Sequence, residues 1–319
     1  MLTRVAAALT YRDFRILWFG ACTSSIGTWM QKVAQSWLVL ELTGSARYLA
    51  LDAFLGEAPI LLFTLIGGVI ADRRDRRRLL LASQVGQMSS ALALAWLVVT
   101  GRVEVWHILA LSFVSGTAQA FGGPAYQSLI PSLIRTEHLP NAIALNSIQF
   151  NIARAVGPML AGIVLHRLGT AACFGLNGLS FLVVIAALLS LRVRHVRPTV
   201  ERHMLDELKT GLVYVRDHQA LRTLTLLALA STLLAVPLLT FLPVFVRYVF
   251  ESGVGTYSRM LTWSGAGSIA GALVVAWLGR FRRMGVWALS VQVALGLLTV
   301  AFALTTALWA SHLLLLAAG

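Results

Sequence analysis

Long apolar runs, separated by short polar connections, constrain this chain more than any other feature of its sequence. Nine runs of about 20 residues, and the start of a tenth, follow one another from end to end. Hydrophobic residues make up 58% of the chain and charged residues 12%, with a mean hydropathy of +0.78. A soluble domain has about 25% charged residues. The pattern therefore predicts an all-α, polytopic membrane protein.

The runs divide the chain into three parts. Residues 1–191 are predicted to form an N-terminal six-helix bundle, and residues 192–220 a cytoplasmic linker containing an amphipathic helix. Residues 221–319 are predicted to form a partial C-terminal bundle. The predicted spans are 14–42, 48–71, 79–100, 105–130, 141–168, 171–191, 221–248, 257–278 and 286–308, followed by 311–319 as the start of a tenth.

The basic residues indicate how these spans are oriented. When alternate connections are assigned to opposite sides, most of the 26 Lys and Arg residues fall on the side that holds the N-terminus. Basic connections stay in the cytoplasm, so the N-terminus is predicted to be cytoplasmic. The net charge of +13 does not indicate nucleic-acid binding, because the arginines occur in short clusters between apolar runs. The outer connections carry only Arg47, Arg102, Arg167, Arg247 and Arg259.

The connection between the second and third spans is the most distinctive of these clusters. It reads Gly-Gly-Val-Ile-Ala-Asp-Arg-Arg-Asp-Arg-Arg-Arg and is too short to form a domain. Gly68 precedes Asp72 by four residues, about one helical turn. The spacing predicts that a neighbouring helix approaches the backbone closely at Gly68, where the Asp72 carboxylate caps the end of the span.

This connection resembles a signature of the major facilitator superfamily of secondary transporters, Gly-x-x-x-Asp-Arg-x-Gly-Arg-Arg. Asp75 stands where that family usually has its second glycine. Other segments resemble the efflux branch that exports drugs and siderophores, among them Trp37-Leu-Val-Leu-Glu-Leu-Thr-Gly-Ser-Ala and Gly157-Pro-Met-Leu-Ala-Gly. The residues that match the signature, and to which the resemblance assigns a gating role, are Gly68, Asp72, Arg73, Arg76 and Arg77.

The resemblance implies twelve helices in two halves that alternate in access about a mid-membrane cavity. In the family, the carboxylate that matches Asp72 braces the inner gate against a helix near the end of the second half. This chain ends inside its tenth span, so the second half is expected to lack about two and a half helices. A non-transporting remnant or scaffold is therefore an alternative to a carrier.

Ionisable residues inside the spans are the candidates for translocation, because charge is costly within a membrane. Counting from the turn near residue 45 places Lys32 and Glu57 at one depth. Their ion pair is either static or opens when a proton or substrate arrives, with Glu57 binding the proton. Arg154 lies near mid-membrane, where it holds an anionic substrate or pairs with Glu57. Asp52 is expected nearer the outer interface.

Glycine and proline interrupt two spans. Gly122, Gly123 and the following Pro124 are expected to break the fourth span near its end. In the fifth, Gly157 with Pro158 and Gly162 forms either a hinge or an ordinary kinked packing face.

No motif in the chain predicts an enzyme. It has no nucleotide-binding loop, no nucleophile-and-base set and no metal-ligand spacing, so no cofactor is expected. Only Lys32 and Lys209 among the 26 basic residues are lysines, which is typical of a GC-rich bacterial genome. The resemblance to the efflux branch implies a monomeric, proton-linked exporter of small molecules in the bacterial inner membrane, with a siderophore as the alternative cargo.

Overall fold

The apolar runs of the sequence fold into α-helices. The computed structural model describes residues 7–192, 213–214, 216–278 and 284–319, without the side chains of Asp72 and of residues 220, 228, 231–236, 276–278 and 284. The described residues form helices and no strands. The helices are α1 (Arg12–Thr43), α2 (Ala46–Arg73), α3 (Arg76–Val99), α4 (Val105–Leu129), α5 (Leu139–Leu168), α6 (Thr170–Ser190), α7 (Gln219–Tyr248), α8 (Val254–Leu278), α9 (Met284–Leu304) and α10 (Leu308–Ala318).

Five of the described helices have the length and hydropathy of a membrane span. Helix α1 is not among them, because Gln31, Lys32 and Gln35 lower the hydropathy of its second half. The segments that meet both criteria are Ala46–Ala71, Arg76–Val99, Thr136–Leu168, Thr170–Ser190 and Gly285–Leu304.

The internal contacts divide the chain into two units, Met1–Pro198 and Thr199–Gly319. In the first unit, α1 packs on α5 and α6, α2 packs on α4, and α3 packs on both α4 and α6. In the second unit, α8 packs on α10 and α7 on α9. The three-part division at 191 and 220 remains a prediction, and the linker helix expected within 192–220 falls mostly outside the described residues.

Local chemistry sets where the first helices end. Gly44 has a φ of +61°, the left-handed conformation that closes a helix, and its amide donates to the Leu40 carbonyl. Ser45 then begins α2 by accepting a hydrogen bond from the Arg47 amide. At the start of α4, Glu104 and His107 form a reciprocal capping box.

Helix α4 is continuous to Leu129, so the predicted break at residues 122–124 is wrong. Pro124 lies inside the helix, where it removes only one backbone donor. Gly122 is a packing position, because a Cβ at this residue would collide with Ser83 Oγ on α3. The absence of a side chain at Gly122 therefore allows α3 and α4 to pack closely and does not produce a kink.

A hydrophobic core fills one end of the first unit, the end that holds the α2–α3 connection. Burial of these apolar side chains fixes α1, α3, α4 and α6 relative to one another. Its buried members include Phe14, Leu17 and Trp18 of α1, Leu80 of α3, Leu129 of α4, and Phe181 and Leu188 of α6.

Candidate functional site

A chain of hydrogen-bonded polar side chains crosses the interior of the first unit. Asn177 Nδ2 of α6 donates to Gln31 Oε1 of α1 at 2.7 Å, and Gln31 Nε2 lies 3.4 Å from Gln35 Oε1. Gln35 Nε2 lies 2.9 Å from each oxygen of Asp52 on α2 and 2.9 Å from Ser112 Oγ on α4. The Ser112 hydroxyl in turn donates to Asp52 Oδ1. This polar chain therefore connects four helices.

The depth of Asp52, expected nearer the outer interface, stays a prediction, but its side chain is buried, with 8% of its surface exposed. The reason is the rotation of α2, which turns Asp52 toward α1 and α4. Both hydrogen-bond partners that reach its carboxylate, Gln35 and Ser112, are uncharged. Lys32 is near enough to act electrostatically on it. The site is thus a buried carboxylate held by neutral donors, with one cation close by.

Lys32 and Glu57 form an ion pair beside this buried carboxylate. Lys32 Nζ lies 3.5 Å from Glu57 Oε1, and the side chains are 56% and 63% exposed. Glu57 is eleven residues into α2, about 16 Å along the helix and near the middle of a 30 Å bilayer core. Exposed charge at that depth in a membrane protein faces an aqueous space rather than lipid.

Aromatic side chains adjoin the ion pair. Lys32 Nζ lies 5.3 Å from the Trp29 ring centroid, and Trp29 meets Phe150 of α5 edge-on with ring centroids 5.8 Å apart. Phe150 is 54% exposed, and Arg154 lies half-buried one turn further along α5. This face of α1, α2 and α5 therefore offers both charge and aromatic surface, an arrangement suited to amphipathic molecules.

The Gly-Pro segment of α5 is a close packing contact. A Cβ on Gly157 would lie 2.5 Å from Trp29 Cβ and 2.9 Å from the Ile26 carbonyl oxygen, so α1 and α5 meet at bare backbone. Pro158 is buried and Gly162 half-buried within a continuous helix. The structure thus assigns Gly157 a packing role, and bending at Pro158 remains a prediction.

The close approach predicted at Gly68 occurs one residue earlier. A Cβ on Gly67 would collide with the Ala120 carbonyl oxygen of α4, whereas one on Gly68 would meet no described atom within 4 Å. Adjacent residues of a helix point about 100° apart, so only one of the two glycines can face α4. Within the first unit, Gly67 is therefore the glycine that packs closely, and the approach of a helix to Gly68 stays a prediction.

The arginines of the α2–α3 connection bind the carboxyl ends of neighbouring helices. Arg76 Nη1 donates to the Ser128 carbonyl at 3.0 Å, near the end of α4. Arg77 donates from Nη2 to the Leu189 carbonyl at 2.7 Å and from Nη1 to the Leu191 carbonyl at 3.3 Å, at the end of α6. Terminal helix carbonyls lack intrahelical partners and carry partial negative charge. Arg76 and Arg77 thus cap the carboxyl ends of α4 and α6.

Asp75, which departs from the family signature, begins α3. Its carboxylate accepts hydrogen bonds from the Arg77 amide at 3.0 Å and the Arg78 amide at 3.2 Å. Aspartate followed by a helical run is itself a helix-start signal. The family signature, which has glycine at this position, does not predict this capping role of Asp75. Arg73 is exposed at the last residue of α2, and the Asp72 side chain lies outside the described part of the structure.

No cluster of three or more His, Cys, Asp or Glu side chains within the described ranges is placed to hold a metal ion. The candidate functional site consists of the buried Asp52, the exposed Lys32–Glu57 pair, and the aromatic side chains Trp29 and Phe150 beside that pair.

The chain is similar in sequence to known membrane transporters. A family model described as a transmembrane secretion effector matches residues 3–319. A staphyloferrin A transporter of Staphylococcus aureus is 26% identical over 254 residues, which is 78% of this chain and 63% of that protein. The multidrug efflux pump Tap of Mycolicibacterium fortuitum is 27% identical over 291 residues, 88% of this chain and 71% of that protein.

Among solved structures, a bacterial homologue of the human lysosomal transporter Spinster, in an inward-facing and unoccupied conformation, has the same fold. It superimposes with a TM-score of 0.72 at 15% identity and covers 96% of this chain. The chain spans 71% of that structure and just under two thirds of the staphyloferrin A transporter.

Proposed function

Because the chain belongs to the transmembrane secretion effector family of the major facilitator superfamily, whose members are transporters and not enzymes, we propose that it exports small molecules in exchange for protons. Its apolar helices and its relatives make it a multi-pass membrane protein. The proposed location is the bacterial plasma membrane, with a cytoplasmic N-terminus, as the distribution of basic residues favours.

The observation that carries the proposal is the burial of Asp52. An ionised carboxylate inside a membrane protein is costly unless it is compensated, so such groups are retained mainly for function. Gln35 and Ser112 donate to the carboxylate without neutralising it. Asp52 can therefore exist either as a neutral acid or as an anion balanced by Lys32. In this proposal it is the group that carries the proton.

The surroundings of Asp52 contain few other charges. Helix α4, which packs against α2, has no Asp, Glu, Lys or Arg between Val105 and Leu129. Lys32 is the cation of α1 that acts on Asp52, and Glu57 is the second carboxylate of α2 beside it. When Asp52 loses its proton, it competes with Glu57 for Lys32. The exposed ion pair would then open in response to deprotonation of the buried Asp52.

The Lys32–Glu57 pair and the aromatic face beside it are the proposed contact for cargo. Trp29 and Phe150 supply apolar surface, while Lys32, Glu57 and Arg154 supply charge. A drug-like amphipathic molecule is the first candidate, supported by the similarity to the multidrug efflux pump. A siderophore is the second, supported by the similarity to the staphyloferrin A transporter and by the two cations on this face.

The α2–α3 connection is proposed to gate the inner end of the pathway. Arg76 and Arg77 hold the ends of α4 and α6 in place, so a movement of the connection would be transmitted to both helices. Gly68 points about 100° away from Gly67 and meets no described atom within 4 Å, so in this proposal a moving element packs against its backbone. Asp72 and Arg73 belong to the same proposed gate, and Pro158 with Gly162 to a proposed hinge.

The test is transport by the full chain in proteoliposomes with an imposed pH gradient. Ethidium serves as the drug-like probe and staphyloferrin A as the siderophore probe. We expect the gradient to drive export of one of them, Asp52→Asn to abolish the dependence on the gradient, and Glu57→Gln to slow export while leaving that dependence in place.

Two results would contradict the proposal. If Asp52→Asn retains the full dependence on the gradient and Glu57→Gln loses it, the proton is carried by Glu57 and not by Asp52. If the wild-type chain, correctly inserted, moves neither probe under any gradient, the non-transporting membrane protein becomes the better interpretation.

A further inference from the structure

A groove on the surface of the first unit lies between the first turns of α1 and the last turns of α6. Its volume is about 490 Å³. Along α6 it extends seven residues, about 10 Å, from the helix end toward the membrane interior. The residues that shape it are Arg15, Phe19 and Gly20 of α1 and Val183, Ala186 and Ser190 of α6.

The deeper part of the groove is apolar and open on one side. Phe19 and Val183 are 54% and 47% exposed, which in a membrane protein is the condition of a surface that meets lipid. A Cβ on Gly20 would lie 3.1 Å from Ala187 Cβ, so the two helices form a continuous floor at that point. The groove thus has the volume and the apolar lining to take a hydrocarbon chain.

The shallow end of the groove is polar and basic. Arg15 lines it and is exposed, with one guanidinium nitrogen 3.3 Å from the Leu9 carbonyl. Arg12 lies one turn earlier on the same face of α1 and is bound to Asp13 at 2.9 Å. Asp13, the acidic residue at this end, also accepts a hydrogen bond from the Arg192 amide. The two cations Arg12 and Arg15 therefore outnumber the one carboxylate. Ser190 adds a hydroxyl at the rim.

We propose that this groove binds one anionic phospholipid, with its phosphate on Arg15 and an acyl chain between α1 and α6. Basic pockets between helices at the cytoplasmic side of a membrane are suited to anionic headgroups. A free phosphate would use Arg15 but would leave the apolar part of the groove empty. The groove lies at the opposite end of α1 from Lys32, away from Asp52 and the Lys32–Glu57 pair, so lipid binding can be tested apart from the proposed transport activity. Its cytoplasmic position rests on the proposed orientation of the chain.

The test uses the purified full chain in neutral detergent, with dioleoyl-phosphatidylglycerol as the anionic lipid and dioleoyl-phosphatidylcholine as the uncharged comparison. Native mass spectrometry counts retained lipids, and thermal unfolding measures their effect on Tm. We expect one phosphatidylglycerol to be retained in preference to phosphatidylcholine and to raise Tm. Water-soluble glycerol phosphate is expected to have no effect.

Three variants locate the site. Arg15→Gln is expected to weaken binding of phosphatidylglycerol about five-fold, because one basic residue near an anionic membrane surface contributes about 1 kcal/mol. Arg15→Lys is expected to retain most of the affinity. Ala186→Phe, at an exposed position, fills the groove and is expected to reduce binding while Arg15 is intact. Arg102→Gln removes the same charge from an exposed connection outside the groove and serves as the control.

Several outcomes would overturn the proposal. Equal weakening by Arg15→Gln and Arg102→Gln would show only general attraction between charges. Full binding to Ala186→Phe would place the lipid elsewhere, and stabilisation by glycerol phosphate would indicate a free-anion site. A dimer that Ala186→Phe dissociates would mean that a second copy of the chain, and not a lipid, covers the groove.

Discussion

Lys32 Nζ lies 3.5 Å from Glu57 Oε1, and this ion pair is more than half exposed although both residues lie near the middle of their helices. Asp52, five residues before Glu57 on the same helix, is buried and bound by uncharged donors. Asp52 and Glu57 of α2 therefore face different environments. That difference is the basis for assigning them different roles.

The exposure of the ion pair predicts that it contributes little to stability. A double-mutant cycle of Lys32→Met and Glu57→Gln, measured by unfolding in detergent, is expected to give a coupling energy below about 1 kcal/mol, as for exposed ion pairs. Export by Lys32→Met and by Glu57→Gln should nevertheless fall by more than this small loss of stability can explain. A coupling of several kcal/mol, with export unchanged, would instead identify a static brace between α1 and α2.

The adjacent glycines of α2 are predicted to differ sharply in their tolerance of a side chain. Gly67→Ala places a methyl group against the Ala120 carbonyl and is expected to lower the free energy of unfolding by about 1–3 kcal/mol, the usual cost of overpacking. Gly68→Ala is the matched control and is expected to leave stability unchanged or raise it. Thermal unfolding of the two variants side by side checks this, and equal destabilisation would contradict the α2–α4 contact.

Arg77 is predicted to stabilise the end of α6. Replacing it by Gln removes two hydrogen bonds from a charged donor to the Leu189 and Leu191 carbonyls, a class of bond with a net worth of at most about 1.5–3 kcal/mol each. Hydrogen exchange is expected to accelerate in the last turn of α6. Arg78→Gln removes the neighbouring exposed charge and should leave that exchange unaffected. If both variants behave alike, the effect belongs to the charge of the connection and not to the bonds made by Arg77.

Asp75 is predicted to act as a helix cap that glycine can largely replace. Asp75→Ala removes the acceptor for the Arg77 and Arg78 amides and is expected to cost about 1 kcal/mol, whereas Asp75→Gly should cost only a few tenths. Measurements of the free energy of unfolding of Asp75→Ala and Asp75→Gly test which variant is less stable. A glycine variant less stable than the alanine variant would show that the carboxylate does more than cap α3.

Much of the fold was predictable, because hydropathy and helix-end signals are properties of neighbouring residues along the chain. The apolar runs indicated where α1 to α10 lie, and the turn near residue 45 indicated that Lys32 and Glu57 share a depth. The failed expectations concern glycine and proline. Gly122 and Pro124 indicated a break, but packing against Ser83 and the remaining backbone bonds keep α4 continuous.

The sequence alone determined that this chain forms membrane helices, where their ends lie, and which residues carry charge inside them. Tertiary structure decided which side of each helix those residues occupy. A rotation of about 100° separates one residue of a helix from the next, and only contacts with neighbouring helices fix that rotation. For this reason Asp52 rather than Glu57 is buried, and Gly67 rather than Gly68 meets α4.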